Sequence, residues 1–272
     1  MTFVSNLRNR ERLVGTWVAL SDPAIGEISA HLEFDAVVID GEHSTNSIET
    51  LTEIARAVDA ADAAGADESE TGTETASDTG TIVRLSENDS TEIKRVLDAG
   101  VDGVMAPMID TPEDARALVE ATRYPPDGVR GVGFGRANEF GLAFPEYVDR
   151  ANDELVTIAQ IETESGLENV EEIVAVDGLD GLFVGPADLS AALGRFGETE
   201  SDEFLAAVDR ILEAGHEVDK PVATLAFEDE EIERWVDRGF DFVLAGVDID
   251  YVKSGGRRAK AAFDDAIAER DE

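Results

Sequence analysis

The side chains best suited to chemistry stand in short clusters, each directly behind an apolar run. Val37-Val38-Ile39 leads into Asp40-Gly41-Glu42-His43-Ser44, and Thr81-Ile82-Val83 leads into Arg84. Ala159-Gln160-Ile161 precedes Glu162-Thr163-Glu164, and Gly181-Leu182-Phe183-Val184 precedes Gly185-Pro186-Ala187-Asp188-Leu189-Ser190. An imidazole beside carboxylates suits general acid–base work, with a carboxylate orienting the ring. Glu162 and Asp188 together suit a hard divalent cation, Mg2+ or Mn2+, which favours oxygen ligands and keeps positions open for water and substrate. The turn at Gly185-Pro186-Ala187 offers backbone amides near a helix N-terminus, where a carboxylate can be received. Arg84, at the end of a buried run, must meet an anion, because an unpaired buried guanidinium is very costly. That anion is either a structural carboxylate or a substrate oxyanion. Each cluster also has a plain structural reading. Glu162 and Asp188 fit caps for the helices that follow them, and Asp40 to Ser44 fits a strand ending in a capping turn.

The elements that must position these groups alternate along the chain. Strand-like runs cover Leu13–Leu20, Asp35–Ile39, Thr81–Leu85, Gly103–Pro107, Leu155–Ile161, Gly181–Gly185, Pro221–Leu225 and Phe240–Ala245. A helical pattern follows each, with starts marked by cap and proline, as at Asp22-Pro23 and Thr111-Pro112. The helix after the second strand spans about Ser47 to Ala61, through Ile48, Leu51, Ile54, Ala55 and Val58. Segment 60–80 then holds no large apolar residue and is expected to be a disordered acidic loop, since it cannot bury enough surface to offset its ordering entropy. Arg123 to Arg150 is long, irregular and rich in Gly, Pro and Arg, as functional loops often are.

Eight short apolar strands, each followed by a helix, predict an α/β protein, a single (β/α)8 TIM barrel over residues 1–272. An open doubly wound sheet is the rival, but no Gly-x-Gly-x-x-Gly links the first strand to its helix, and Gly131-Val132-Gly133-Phe134-Gly135 has the wrong spacing for one. In a barrel, catalytic groups collect at the C-terminal ends of strands. That rule gathers Asp40, Glu42, His43, Arg84, Gln160, Glu162, Asp188 and Asp248 at one mouth, and puts segment 60–80, which joins a helix to the next strand, on the opposite face.

Composition removes several function classes. The net charge is −39, from 61 acidic against 22 basic residues, which argues against nucleic-acid binding. The acids are spread over every helix as well as one loop. This favours a surface solvated in molar salt, and so an extremely halophilic host, over a cationic partner, because the Debye length at 1 M is only about 3 Å. No apolar run approaches the roughly 18 residues of a membrane span, and the first residues lack the apolar stretch of a signal peptide. With no cysteine there is no disulfide, thiolate metal site or cysteine nucleophile. The expected location is cytoplasmic.

Taken together, the motifs Ile39-Asp40-Gly41-Glu42-His43, Val83-Arg84, Arg123-Tyr124-Pro125-Pro126 with Gly128-Val129-Arg130-Gly131-Val132-Gly133, Gln160-Ile161-Glu162-Thr163, Gly185 to Ser190 and Gly246-Val247-Asp248 resemble those of the HpcH/HpaI aldolase/citrate lyase family. They fall in that family's order and span nearly the whole chain. The resemblance implies a phosphoenolpyruvate/pyruvate-type barrel and a class II pyruvate aldolase that reversibly cleaves a 4-hydroxy-2-oxo acid to pyruvate and an aldehyde. It implies that Glu162 and Asp188 bind the divalent metal, Mg2+ or Mn2+ with Co2+ a further candidate. Gln160 and Ala187, within the Gly185-Pro186-Ala187-Asp188 turn, would contact the pyruvate end. Arg84 would stabilise the enolate and His43 would be the base. The family's histidine-tuning aspartate matches Asp98, while Asp40 is the local competitor. Asp98 ends its helix on the far face of its own barrel, so it reaches a His43 only if packing differs or a neighbouring subunit supplies it. A homo-oligomer, commonly a hexamer, is implied, with the C-terminal helix of residues 248–272 exchanged between subunits. Its apolar positions Ala261, Ala262, Phe263, Ala266 and Ile267 permit this, but an ordinary barrel helix would look the same.

Alternatives remain. A Schiff-base aldolase needs a lysine in the mouth, and Lys94, Lys220, Lys253 and Lys260 all fall elsewhere. A malyl- or citramalyl-CoA-type lyase of the same superfamily tends to carry Asp-x-Glu-Asp where this chain has Asp40-Gly41-Glu42-His43. A non-catalytic barrel that binds metal and oxo acid is the non-enzyme reading. Phe134 to Gly141 is shorter than in some relatives, which leaves the aldehyde side open.

Overall fold

The computed structural model describes residues 2–68 and 79–271. Eight parallel strands close into a barrel in sequence order. They are β1 (Leu13–Val18), β2 (Ala36–Asp40), β3 (Gly80–Arg84), β4 (Gly103–Ala106), β5 (Val156–Ile161), β6 (Gly181–Val184), β7 (Val222–Ala226) and β8 (Phe242–Val247). The helices are α1 (Phe3–Arg8), α2 (Pro23–His31), α3 (Ile48–Glu68), α4 (Ser90–Asp98), α5 (Pro112–Thr122), α6 (Phe144–Glu154), α7 (Glu164–Glu168), α8 (Val170–Val174), α9 (Pro186–Ala192), α10 (Asp202–Glu217), α11 (Asp229–Arg238) and α12 (Asp248–Asp271).

Alternation along each strand divides the apolar side chains into two cores. Val37, Ile39, Val83 and Val104 point outward and pack against the ring of helices. Val38, Ile82, Met105, Ile158 and Phe183 fill the barrel interior. The short α1 plugs the N-terminal end, with Phe3 and Leu7 joining that inner cluster. The plug is why β3 begins at glycine: a Cβ on Gly80 would lie 2.1 Å from the Phe3 ring. Near the other end the same inward positions turn polar. Asp40 pairs in register with Arg84, and Gln160 with Phe183. The period-2 pattern that builds the core thus aims these groups into the mouth.

Two features differ from the sequence reading, and a third bears on a point it left open. The helix expected to stop near Ala61 continues to Glu68, so the first part of segment 60–80 is helical. Alanine needs no tertiary burial to favour a helix already nucleated upstream, and Asp62 ties this turn to β3 by accepting from the Thr79 backbone and hydroxyl at 2.8 and 3.0 Å. Of the expected acidic loop, residues 69–78 lie outside the described residues. Second, Arg123–Arg150 is not wholly irregular: it contains a 3-10 turn at Arg136–Gly141 and most of α6. Pro145 and the Gly-rich approach masked this amphipathic helix. Third, α12 contributes little to the core: Ile249, Tyr251, Val252, Phe263 and Ile267 are all exposed, as is Val14 of the neighbouring β1. Among the described residues no helix is long and apolar enough to cross a membrane.

Candidate active site

The mouth is built in two halves. In the first, β2 and β3 bring Asp40 and Arg84 side by side, both nearly fully buried. Asp40 Oδ1 accepts from Arg84 Nε at 2.9 Å and Nη2 at 2.8 Å. It also accepts from the backbone N–H groups of Glu42 and His43, at 3.0 and 3.3 Å. Glu42 Oε2 takes Arg84 Nη1 at 2.8 Å. The Arg84 guanidinium lies 4.6 Å from the centroid of the Trp17 ring, which forms its floor from β1. Three of its five N–H donors are thereby used, and the planar fork is held on two edges and one face. The structural pairing foreseen for Arg84 is therefore real, and two donors remain beyond it.

His43 stands at the rim, with its side chain 70% exposed. Asp40 holds its backbone and not its ring. Glu42 Oε1, at 3.9 Å from Nε2, is the carboxylate that approaches the imidazole. Asp98 is not beside His43 in this chain. It lies at the end of α4, where its Oδ1 accepts from Arg130 Nη2 at 2.9 Å. Neither candidate tuning aspartate thus touches the ring within one chain.

The second half comes from β5 and β6. Glu162 is buried; its Oε1 accepts from the Met108 N–H at 2.8 Å, and its Oε2 is met by the Gln160 amide. It does not cap α7, because Thr163 does, accepting from the Gly166 N–H. Asp188 does not cap α9 either. Gly185 is the N-cap and Asp188 stands in the first helical turn, so it is left to face the mouth. No side chain caps α9. Gly185 is required by close approach: a Cβ there would lie 2.7 Å from Glu162 Oε2 and 2.9 Å from Gln160 Nε2.

The electrostatics tie the halves together. Burial raises the Glu162 carboxyl above its usual range, against the Met108 and Gln160 hydrogen bonds, and the charges of Asp188 and Glu42 push the same way. Burial also raises Glu42, opposed by Arg84 and His43 and reinforced by Asp40 and Asp188. Glu42, Glu162 and Asp188 therefore feel one another across the mouth. Gln160 carries a buried Oε1 with no hydrogen-bond partner among the described residues. Mutually repelling carboxylates and an orphaned acceptor beside them fit a bound cation with its water, which would neutralise the first and donate to the second. Among the described residues no group of three or more His, Cys, Asp or Glu is arranged as a metal cage. Glu162 and Asp188 would supply two ligands, and water and substrate the rest.

Glu42, Trp17 and Met108 are the residues that motif reasoning left without a role. Glu42 stood inside the quoted motif, whereas Trp17 and Met108 gave no signal beyond lying at strand ends. Asp248 binds the Ala19 and Leu20 backbone N–H groups at 3.1 and 2.8 Å, and so ties β8 to the end of β1.

A family model described as HpcH/HpaI aldolase/citrate lyase matches residues 13–254. A hydroxypyruvate/pyruvate aldolase of Deinococcus radiodurans is 38% identical over 100% of this chain and 92% of its own length. A 4-hydroxy-2-oxovalerate aldolase of Novosphingobium aromaticivorans is 38% identical over 91% and 88%. The crystal structure of an HpcH/HpaI aldolase/citrate lyase family protein from Burkholderia cenocepacia superposes with a TM-score of 0.87, at 32% identity, covering 96% of this chain and 98% of that one.

Proposed function

The chain belongs to the HpcH/HpaI aldolase/citrate lyase family and is a carbon–carbon lyase, and on that premise we propose that it is a divalent-metal-dependent aldolase cleaving a 4-hydroxy-2-oxo acid reversibly to pyruvate and an aldehyde. The observation that carries this reading is the pairing, across one mouth, of a fixed guanidinium at Arg84 with two mutually repelling acids, the buried Glu162 and the exposed Asp188.

Glu162 and Asp188 would hold the metal. When bound there it supplies Lewis acidity toward the 2-oxo acid. Gln160 and the Gly185-Pro186-Ala187 turn, with α9 uncapped by any side chain, receive the pyruvate end. His43, exposed at the rim, takes the proton from the 4-hydroxyl. The C3–C4 bond then breaks, its electrons pass into the enolate of pyruvate, and the new carbonyl departs as the aldehyde. Arg84 faces the enolate oxygen with its remaining donors, already held by Asp40, Glu42 and Trp17, so little reorganisation is needed as charge develops. Return of a proton to C3 completes the cycle.

Among the described residues of its own chain, no carboxylate is hydrogen-bonded to the His43 ring. Asp98 is anchored by Arg130 beside exposed Val129, Val132 and Phe134. That combination supports assembly of a homo-oligomer in which one subunit's Asp98 serves another's His43. The exposed apolar face of α12 supports the same assembly. The test is pyruvate release from a panel of 4-hydroxy-2-oxo acids with Mn2+ or Mg2+, and again in EDTA. Metal-dependent release that borohydride does not block is expected. Turnover of malyl-CoA-type thioesters instead, with none of the panel cleaved, would overturn the reading.

A further inference from the structure

Arg130 is a fully buried cation well away from the Arg84 cluster. Its side chain has no exposure, and Nε and Nη1 have no hydrogen-bond partner among the described residues. The guanidinium is gripped by rings, lying 4.5 Å from the Tyr124 centroid and 5.8 Å from that of Tyr147, which meet edge-on. Its backbone is fixed as well: the Arg130 N–H donates to Arg123 O at 2.9 Å and the Val129 N–H to Glu120 O at 2.8 Å, at the end of α5. Gly128 lets the two segments meet, since a Cβ there would lie 2.4 Å from Glu120 O.

A buried cation with two unbonded nitrogens is a poor device for stability, and well-packed apolar groups generally serve as well or better. What this one does achieve is placement. The carboxylate it grips is Asp98, whose Oδ1 it holds at 2.9 Å while 27% of that side chain still reaches solvent. Among the described residues the only other polar group it reaches is the Tyr147 hydroxyl, at 3.4 Å. The cation is therefore rigid and desolvated, and the anion is fixed on one oxygen and open on its outer side.

We infer that Arg130, clamped between Tyr124 and Tyr147, is a positioning residue that presents Asp98 to the catalytic His43 of a neighbouring subunit. The role rests on Asp98 serving His43, as proposed above. Arg130 touches no substrate and acts only through the carboxylate it holds.

Two reactions of one site separate this role from a general packing role. Retro-aldol cleavage requires removal of the 4-hydroxyl proton, and hence His43. Decarboxylation of oxaloacetate passes through the same pyruvate enolate by loss of CO2. It has no hydroxyl proton to remove, so it needs Arg84 and the metal but neither His43 nor its aspartate. Both rates should be measured for the full chain with Mn2+, using 4-hydroxy-2-oxopentanoate and oxaloacetate. The variants are Arg130→Met, Arg130→Lys, Asp98→Asn and the Arg130→Met/Asp98→Asn double. Arg130→Met is expected to lower the retro-aldol kcat about 10- to 100-fold, the cost of a misplaced catalytic group, with oxaloacetate decarboxylation unchanged. Arg130→Lys, which keeps the charge without the planar fork, should fall between Met and wild type. The double variant should be no slower than Asp98→Asn alone, because the two residues act in series. Equal losses in both reactions, or no loss in either, would overturn the inference. If Arg130→Met does not fold, Arg130→Lys carries the same comparison. Should Asp98→Asn leave retro-aldol turnover intact, the trans-subunit reading fails on its own account. If Asp98→Asn is slow while Arg130→Met is normal, only the role of Arg130 fails.

Discussion

Adding a single methyl group at Gly185 should damage the proposed metal site while sparing the barrel. The backbone there is ordinary, with φ near −82°, so alanine meets no conformational strain. The obstacle is space, because its Cβ would fall 2.7 Å from Glu162 Oε2 and 2.9 Å from Gln160 Nε2. Ordinary contact begins near 3.4 Å. The carboxylate must therefore retreat by roughly 0.7 Å, and Glu162 is buried and tied to the Met108 N–H at 2.8 Å. Overpacking of this kind costs about 1–3 kcal/mol of stability. A catalytic group displaced by about 1 Å can cost up to about 100-fold in rate. Gly185→Ala is thus expected to fold, to bind Mn2+ more weakly by calorimetric titration, and to turn over about 10- to 100-fold more slowly. Gly181→Ala is the matched control, at the other end of the same strand. Its Cβ would press on Pro221 O at 2.8 Å, so it should lose similar stability and keep the metal affinity. Wild-type Mn2+ affinity and turnover in Gly185→Ala would refute the reasoning, because the methyl has nowhere to go that avoids Glu162.

Three further outcomes follow from the same geometry. Burial raises the Glu162 carboxyl. A carboxyl raised on folding favours the folded state fully below its unfolded value, near 4.5, and loses that contribution as pH rises through the higher folded value. In EDTA, Glu162→Gln should therefore melt above wild type at neutral pH, with the gap closing as pH falls toward 4.5; added Mn2+ should reverse the order, and a variant that melts lower in EDTA throughout would contradict this. His43→Ala should lower retro-aldol turnover by about 10²–10⁴, and near-normal cleavage would remove His43 from the mechanism. Deleting residues 69–78, which follow the last residue of α3 and precede Thr79 in the sequence, should leave kcat and KM unchanged, and a large loss of activity would contradict this.

Much of this molecule is legible in its sequence. Eight apolar runs of near-constant length, each followed by a 3.6-period pattern with a cap, admit few closed solutions, and the barrel is one of them. Once the runs are strands of one barrel, chain direction puts whatever follows them at one mouth, so Asp40, Arg84, Glu162 and Asp188 could be gathered without knowing a single contact. The sequence alone did not assign partners. Asp40 and His43 are neighbours in the chain, yet register places Asp40 opposite Arg84 across the β2–β3 ladder and leaves the imidazole outside at the rim. Whether Glu162 and Asp188 capped helices or faced the mouth was undecided, because a carboxylate before a helix reads the same either way. Only the positions of Thr163 and Gly185 as the true caps resolved it. Helix α6 was hidden in a Gly- and Pro-rich stretch whose local signals argue against it, and packing overrode them. The need for glycine at 185, the ring under Arg84 and the grip of Arg130 on Asp98 all depend on residues tens of positions apart meeting within a few ångströms. Periodicity and direction are properties of the chain and can be read along it. Contact between strands belongs to the closed barrel, and comes into being only when the barrel closes.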